Sequence, residues 1–234
     1  MPREHYLKQN RLLAVLPGAE IKALKAHLEL VRLSSGELLV EAGKRPQYAY
    51  FPVDCVISLY VRMESGEASS IAMIGNEGMY SVAQVLGGDT LPFFASVQNA
   101  GHAFRIDSCL LKQQIAAAEG LRHILLLYSQ AMLTQIAQTG VCGRHHSLEQ
   151  QLCLHLLLIH DRSLTDSFTL THEAVAHMLG ARRESVTEAA GRLREAGLID
   201  YKRGHVKVLD RTGLEAHCCE CYQVVTREFK RLLG

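Results

Sequence analysis

"LTHEAVAHMLGARRESVTEAAGRLREAGLIDYKRGHVKVLD", residues 170–210, decides how the rest of the chain is read. Thr171 is placed to cap a short helix whose apolar side carries Val175 and Leu179, because its hydroxyl can accept from a first-turn N–H. Gly180 permits a tight turn. A second helix then runs from Arg182 to Ala196 and stops at Gly197, a residue suited to a left-handed C-cap. Two short helices about a glycine make a helix-turn-helix. Beyond Gly197, apolar and polar residues alternate around Arg203 and Gly204, which is the pattern of a β-hairpin with a basic tip. The order is helix, turn, helix, wing.

On a helix turning 100° per residue, Val186, Ala190 and Leu193 point to one side, and Glu184, Glu188, Gly191 and Glu195 to the other. A major groove about 12 Å wide admits one helix, whose first residues reach base edges while flanking cations meet phosphates. The residues expected to contact a duplex are therefore Arg182, Arg183, Glu184, Ser185, Thr187, Glu188 and Arg192 on the second helix. Thr171 and His172 at the start of the first helix join them, with Lys202 and Arg203 on the wing. Arg183 can bond a guanine through two N–H groups, and Glu184 can accept from a cytosine amino group. The outward carboxylates oppose non-specific attraction to phosphate, and Glu188 with Arg192 also fits an i,i+4 ion pair. The competing reading is a winged domain that docks protein, attached to a small-molecule or redox sensor.

The 234 residues suffice for two domains, and 48% apolar against 21% charged residues is a normal globular balance. A net charge of +1 means that any site for nucleic acid is a local patch. The polar start "MPREHYLKQN", the odd count of seven cysteines and the lack of an unbroken apolar run of about 20 residues point to a cytoplasmic protein with free thiols and no membrane partner.

From Val31 to Ile106 the chain reads as short β-rich runs between Gly, Pro, Ser and Asn, which suggests a sandwich or barrel. "ESGE", 64–67, fits a hairpin turn with Gly66 at positive φ. Asp107 can cap a short helix. A long helix follows from Gly120 to about Gly140, where Leu121, Leu125, Tyr128, Met132, Gln135 and Thr139 fall on a 4-3-4-3-4 repeat. This stripe is assigned to a homodimer interface. "GVCGRHHSLEQQ" marks a hinge, the apolar helix "LEQQLCLHLLLIHD" follows it, and one final helix capped by Thr212 closes the chain.

No catalytic residue, cofactor or metal site is expected. His172 and His177 resemble the zinc-protease spacing, but five residues put them about 140° apart on a helix, so they cannot share a metal. In "HCCEC", Cys218 and Cys221 lie on the apolar stripe of the last helix as small core residues, and Cys219 points elsewhere. A redox role for these three thiols stays open. His145, His146 and Glu149 read as solvated hinge residues.

The chain resembles the cyclic-AMP receptor protein/FNR family of bacterial transcription regulators. The likeness is most specific at "LTHEAVAHMLGARRESVTEAAGRLREAGLI" and extends over the β-rich region and the long helix "GLRHILLLYSQAMLTQIAQT". It implies an α+β fold: a cyclic-nucleotide-binding-like β-roll of effector type over 1–119, a dimerisation helix and hinge over 120–146, and a winged helix-turn-helix DNA-binding domain with a C-terminal helix over 147–234. It further implies a pseudo-palindromic double-stranded DNA site, a homodimer, RNA polymerase as a further partner, and a small-molecule effector whose identity the residues do not give. Arg183 and Glu184 occupy the family's base-reading pair, and Ser185 a phosphate-contacting position. Glu188 departs, because many members are basic there. In the effector region "IGNEGMYSVAQVLGGDTLPFFASVQ", Phe93 and Phe94 stand where cyclic-AMP-binding members carry an arginine and a hydroxyl, and only Ala95 remains. A buried phosphate without a cation is costly, so no cyclic-AMP binding is expected.

Overall fold

The computed structural model describes residues 2–163 and 165–234. Among them, α1 (Pro2–Gln9), α2 (Arg11–Ala14) and α3 (Gly18–Lys25) precede the strands β1 (Glu29–Leu33), β2 (Leu38–Val40), β3 (Tyr48–Pro52), β4 (Val56–Arg62) and β5 (Ala68–Ile74). Then come α4 (Val82–Leu86), β6 (Phe94–Asn99), β7 (Gly101–Asp107), α5 (Ser108–Ala117), the long α6 (Glu119–His145) and α7 (Leu148–Arg162). The last part holds β8 (Ser167–Thr169), α8 (His172–Leu179), α9 (Arg183–Glu195), β9 (Ile199–Lys202), β10 (His205–Val208), α10 (Arg211–His217) and α11 (Cys221–Leu233). The polar connection expected over 162–168 includes Leu164, which lies outside the described residues.

Two antiparallel sheets, ordered β1-β7-β3 and β2-β6-β4-β5, make the amino-terminal roll. Alternation within the strands aims Phe51, Ile57, Ile74 and Phe104 into a common core where each is fully buried. The β4–β5 hairpin turns where the "ESGE" segment places it, with Gly66 at φ 89°. Asp107 caps α5 by accepting from the N–H groups of Cys109 and Leu110.

Helix α6 covers this roll, and this corrects the dimer stripe. Leu121, Leu125, Tyr128 and Met132 are at most 2% exposed and belong to the core of the roll, and Gln135 donates to the carbonyl of Met73 at 3.0 Å. Thr139 is half-buried and donates to its own helix at Gln135 O. A side chain already enclosed by its own chain cannot be offered to a second copy. The repeat showed that one face of the helix is covered, not what covers it. The outward face carries Leu126, Leu133 and Val141, which are 47%, 63% and 48% exposed.

Helix α6 also runs past the expected end at Gly140, through Gly143 to His145. Each interior glycine costs about 1 kcal/mol against alanine. Burial of Cys142 on the helix face opposes that cost. Ser147 and Gln150 then form a capping box that starts α7, so the break is confined to His146 and Ser147.

The second core joins α7, α8, α9 and the sheet ordered β8-β10-β9 through Leu152, Val175, Val186, Leu193, Ile199 and Val206. Helix α8 rests on β5, and Gly180, at φ 60°, leaves room there: a Cβ would sit 2.8 Å from Ser69 Oγ. The single closing helix expected from the sequence is two. Asp210, not Thr212, caps α10, and the 218–220 link turns the chain into α11, which packs on α6. Cys219, expected to point away from the core, is 4% exposed.

Candidate nucleic-acid interface

The turn between α8 and α9 is built from three local features. Thr171 accepts from Ala174 N–H at 3.1 Å and so starts α8; Gly180 ends it in the left-handed region; Arg182, in extended conformation, is the N-cap of α9. Val186, Ala189, Ala190 and Leu193 are buried, which fixes the rotation of α9 and turns Arg182, Arg183, Glu184, Thr187 and Glu188 outward. Arg182 and Arg183 enter no salt bridge among the described residues, and neither does Glu184. Two uncompensated cations therefore stand where the helix end already carries partial positive charge. Ser185 is half-buried beside them.

The wing is a two-residue hairpin between β9 and β10. Arg203 and Gly204 take φ 49° and 78°, the positive pair that a type I′ turn needs. Leu170 N–H donates to Gly204 O at 2.8 Å, and Tyr201 donates to Leu170 O, so the wing is tied to the start of α8. Arg203 is exposed at the tip, while Lys202 meets Asp200 at 3.3 Å in a solvated pair worth little.

Three expected contact residues have other work. His172 is half-buried, its ring centroid lies 4.3 Å from that of Tyr201, and its Nδ1 is 2.9 Å from Thr187 Oγ1. Thr187 also donates to Arg183 O at 3.0 Å, so this pair, exposed at Thr187, braces α9 on α8. Burial, with a smaller push from Arg183, holds His172 below the usual imidazole range. Arg192 bonds Glu149 at the start of α7 at 2.6 Å instead of pairing with Glu188. Glu149, read from the sequence as solvated, is thus a clamp between α7 and α9. The spacing within α9 could not show a partner 43 residues away.

In the roll, the cavity beside Phe93 is about 10 Å³ and is lined by Val40, Lys44, Leu59, Tyr80 and Leu91 among others. Phe94 faces away from it, stacked on Tyr60 at 5.2 Å with the Arg62 guanidinium 5.0 Å above its ring. Glu77 accepts from Arg162 Nε at 2.7 Å and from Gly75 N–H. Arg162 donates in turn to Gln135 Oε1 at 2.9 Å, so the roll, α6 and α7 meet in one buried polar junction. A different cluster has metal-ligand chemistry: Cys142, His146, Cys219 and Cys221 converge at the end of α6.

Residues 150–217 match the family of Crp-like helix-turn-helix domains. The global nitrogen regulator of Synechococcus elongatus is 22% identical over 215 residues, spanning 88% of this chain and 96% of that one. Among solved structures, a putative regulator of the Crp/Fnr family from Eubacterium rectale superposes with a TM-score of 0.66 at 16% identity, covering 88% of this chain and 96% of its own. FixK2 from Bradyrhizobium japonicum gives 0.67 at 12% identity, covering 82% and 98%. A putative cyclic-nucleotide-binding protein from Ruegeria pomeroyi gives 0.64 at 19%, covering 93% and 98%.

Proposed function

We propose that this chain, with a Crp-like helix-turn-helix on the fold of the CRP/FNR regulators, is a transcription regulator of that type and reads a two-fold DNA site as a homodimer. The proteins it resembles include a global nitrogen regulator and a putative transcriptional regulator of the Crp/Fnr family. The observation that carries the proposal is the exposed, unpaired set Arg182, Arg183 and Glu184 at the amino end of α9. Arg183 and Glu184 read base edges there, Arg182 and Arg203 meet phosphate, and Ser185 and Thr187 lie alongside. Glu188 remains outward and biases the half-site away from strongly phosphate-driven binding.

The dimer forms through the outward face of α6. Leu126, Leu133, Ala137 and Gly140 lie on it at spacings of seven, four and three, and nothing within 4 Å occupies the space where a Gly140 Cβ would stand. Small residues at 137 and 140 suit close approach of a second helix. Pairing α6 about a two-fold axis presents two α9 helices, so the site is a pseudo-palindrome with half-sites about 34 Å apart. We take residues 1–119 as the effector-type domain, 120–146 as the dimer helix and 147–234 as the reader, acting in the cytoplasm and on RNA polymerase.

The roll does not take cyclic AMP in this reading. A cavity of about 10 Å³ is far below the roughly 300 Å³ at which small-ligand pockets begin. Calorimetry at millimolar cyclic AMP is expected to give no binding heat, and a saturable heat would overturn this. For the DNA reading, duplex affinity is measured against salt. It is expected to fall steeply, and the double reversal Arg182→Glu and Arg183→Glu to abolish it with an unchanged circular dichroism spectrum. Duplex binding that survives the reversal sinks the proposal.

A further inference from the structure

The last turns of α6 and the link between α10 and α11 bring together two pairs of side chains that the sequence keeps over 70 residues apart. Cys142 Sγ lies 3.5 Å from Cys219 Sγ, and Cys221 Sγ lies 3.5 Å from His146 Nδ1. All four ligand atoms fall within 4.8 Å of one another. We propose that Cys142, His146, Cys219 and Cys221 hold one zinc ion in a closed tetrahedral site that pins α11 to the end of α6.

The distances fit a single ion. Zinc bonds of about 2.3 Å to sulfur and about 2.05 Å to nitrogen, at tetrahedral angles, give edges of about 3.8 Å between two sulfurs and about 3.6 Å between sulfur and nitrogen. A cluster of several irons must fit its own sulfides between the ligands, and a 4.8 Å envelope leaves no room for them. Magnesium and calcium want oxygen ligands, and the four atoms here are sulfur and nitrogen. The soft three-sulfur, one-nitrogen set is that of closed structural zinc sites.

The surroundings make a second, independent observation. His146 points Nδ1 at the cluster and its other ring nitrogen, Nε2, at Glu220 Oε2, 3.3 Å away. Histidines that ligate metals almost always donate their free N–H to such an acceptor, which fixes the ring and its tautomer. Gln138 Nε2 donates to Cys221 Sγ at 3.2 Å, a bond that suits a thiolate. Cysteines acting only as small core residues need neither partner. Cys218 stays outside the cluster, its sulfur turned toward Gln150 O.

Binding releases three thiol protons to solvent, and zinc with three thiolates and a neutral imidazole carries one net negative charge. Cys142 lies in α6 and His146 directly follows it, whereas Cys219 lies in the link after α10 and Cys221 opens α11. The ion therefore fixes the direction in which the chain leaves α6 toward α7 and the reading helix.

The test is metal analysis of the full-length protein purified under reducing conditions without added metal. One zinc per chain is expected, retained by Cys109→Ser and Cys218→Ser and lost in Cys142→Ser and Cys221→Ser. His146→Cys provides a check that does not depend on whether those two variants fold: it should keep one zinc as a four-sulfur site. Cobalt exchange should give the visible bands of a tetrahedral thiolate complex, and chelation should speed amide exchange over 140–147 and 218–224. Metal-free protein with all seven thiols titratable after unfolding, a Cys142–Cys219 disulfide, or iron accompanied by sulfide would each overturn the proposal.

Discussion

Replacing Glu77 by alanine should destabilise the whole chain, because its carboxylate ties the roll to Arg162, which in turn joins α7 to α6. Glu77 and Arg162 are 7% and 4% exposed, so neither charge is rescued by water. Without the carboxylate, the Arg162 Nε–H and the Gly75 N–H lose their acceptor, while Arg162 keeps only Leu158 O and Gln135 Oε1. Removing one partner of a buried pair costs about 3–5 kcal/mol, most of it the penalty of the charge left behind. At about 2–4 °C per kcal/mol for a chain of this size, the midpoint should drop by roughly 6–20 °C. Urea unfolding followed by far-ultraviolet circular dichroism gives the free energy. The double variant Glu77→Leu with Arg162→Met should recover most of the loss, because no charge then remains buried. A loss under about 1 kcal/mol for Glu77→Ala, or a double variant equal to the sum of the singles, refutes the reasoning.

Arg183→Ala should cost about 1–3 kcal/mol of specific duplex binding and relax one base position, whereas Arg203→Ala should weaken all sequences alike and lower the salt slope by about 1; fluorescence anisotropy across a salt series distinguishes them. Leu133→Glu on the outward face of α6 should shift sedimentation from dimer to monomer with little change in unfolding, while Leu125→Ala, inside the roll, should cost about 2–5 kcal/mol. Burial holds His155 below the ordinary imidazole value, so below about pH 6.5 the unfolded chain takes up a proton that the folded chain refuses. Stability should therefore fall as pH drops through that value, and His155→Leu should flatten the slope measured by urea titration.

Local chemistry was readable in the sequence. The cap at Thr171, the turn at Gly180, the basic tip at Arg203–Gly204 and the hairpin at Gly66 each follow from what one residue type can do within a few positions. What failed needed knowledge of partners. The α6 repeat announced a covered face, but the roll and a second helix ask for the same residues, and Leu121 to Gln135 went to the roll. Arg192 found Glu149 on another helix, and His172 turned inward onto Tyr201 and Thr187. The long helix runs beyond Gly140 because glycine propensity is weak against the burial of Cys142, and the break falls at the end of the expected hinge. Metal-ligand spacing is legible only within single segments, so a set split between 142–146 and 219–221 is invisible until the fold closes it.

The most direct test of the central claim is selection of randomised duplex DNA by the full-length protein, followed by sequencing of what is retained. The account predicts an enriched two-fold motif with half-sites one helical turn apart, lost on Arg183→Ala at one base position. Retained DNA without any shared motif, from a protein shown to be folded and dimeric, would contradict it.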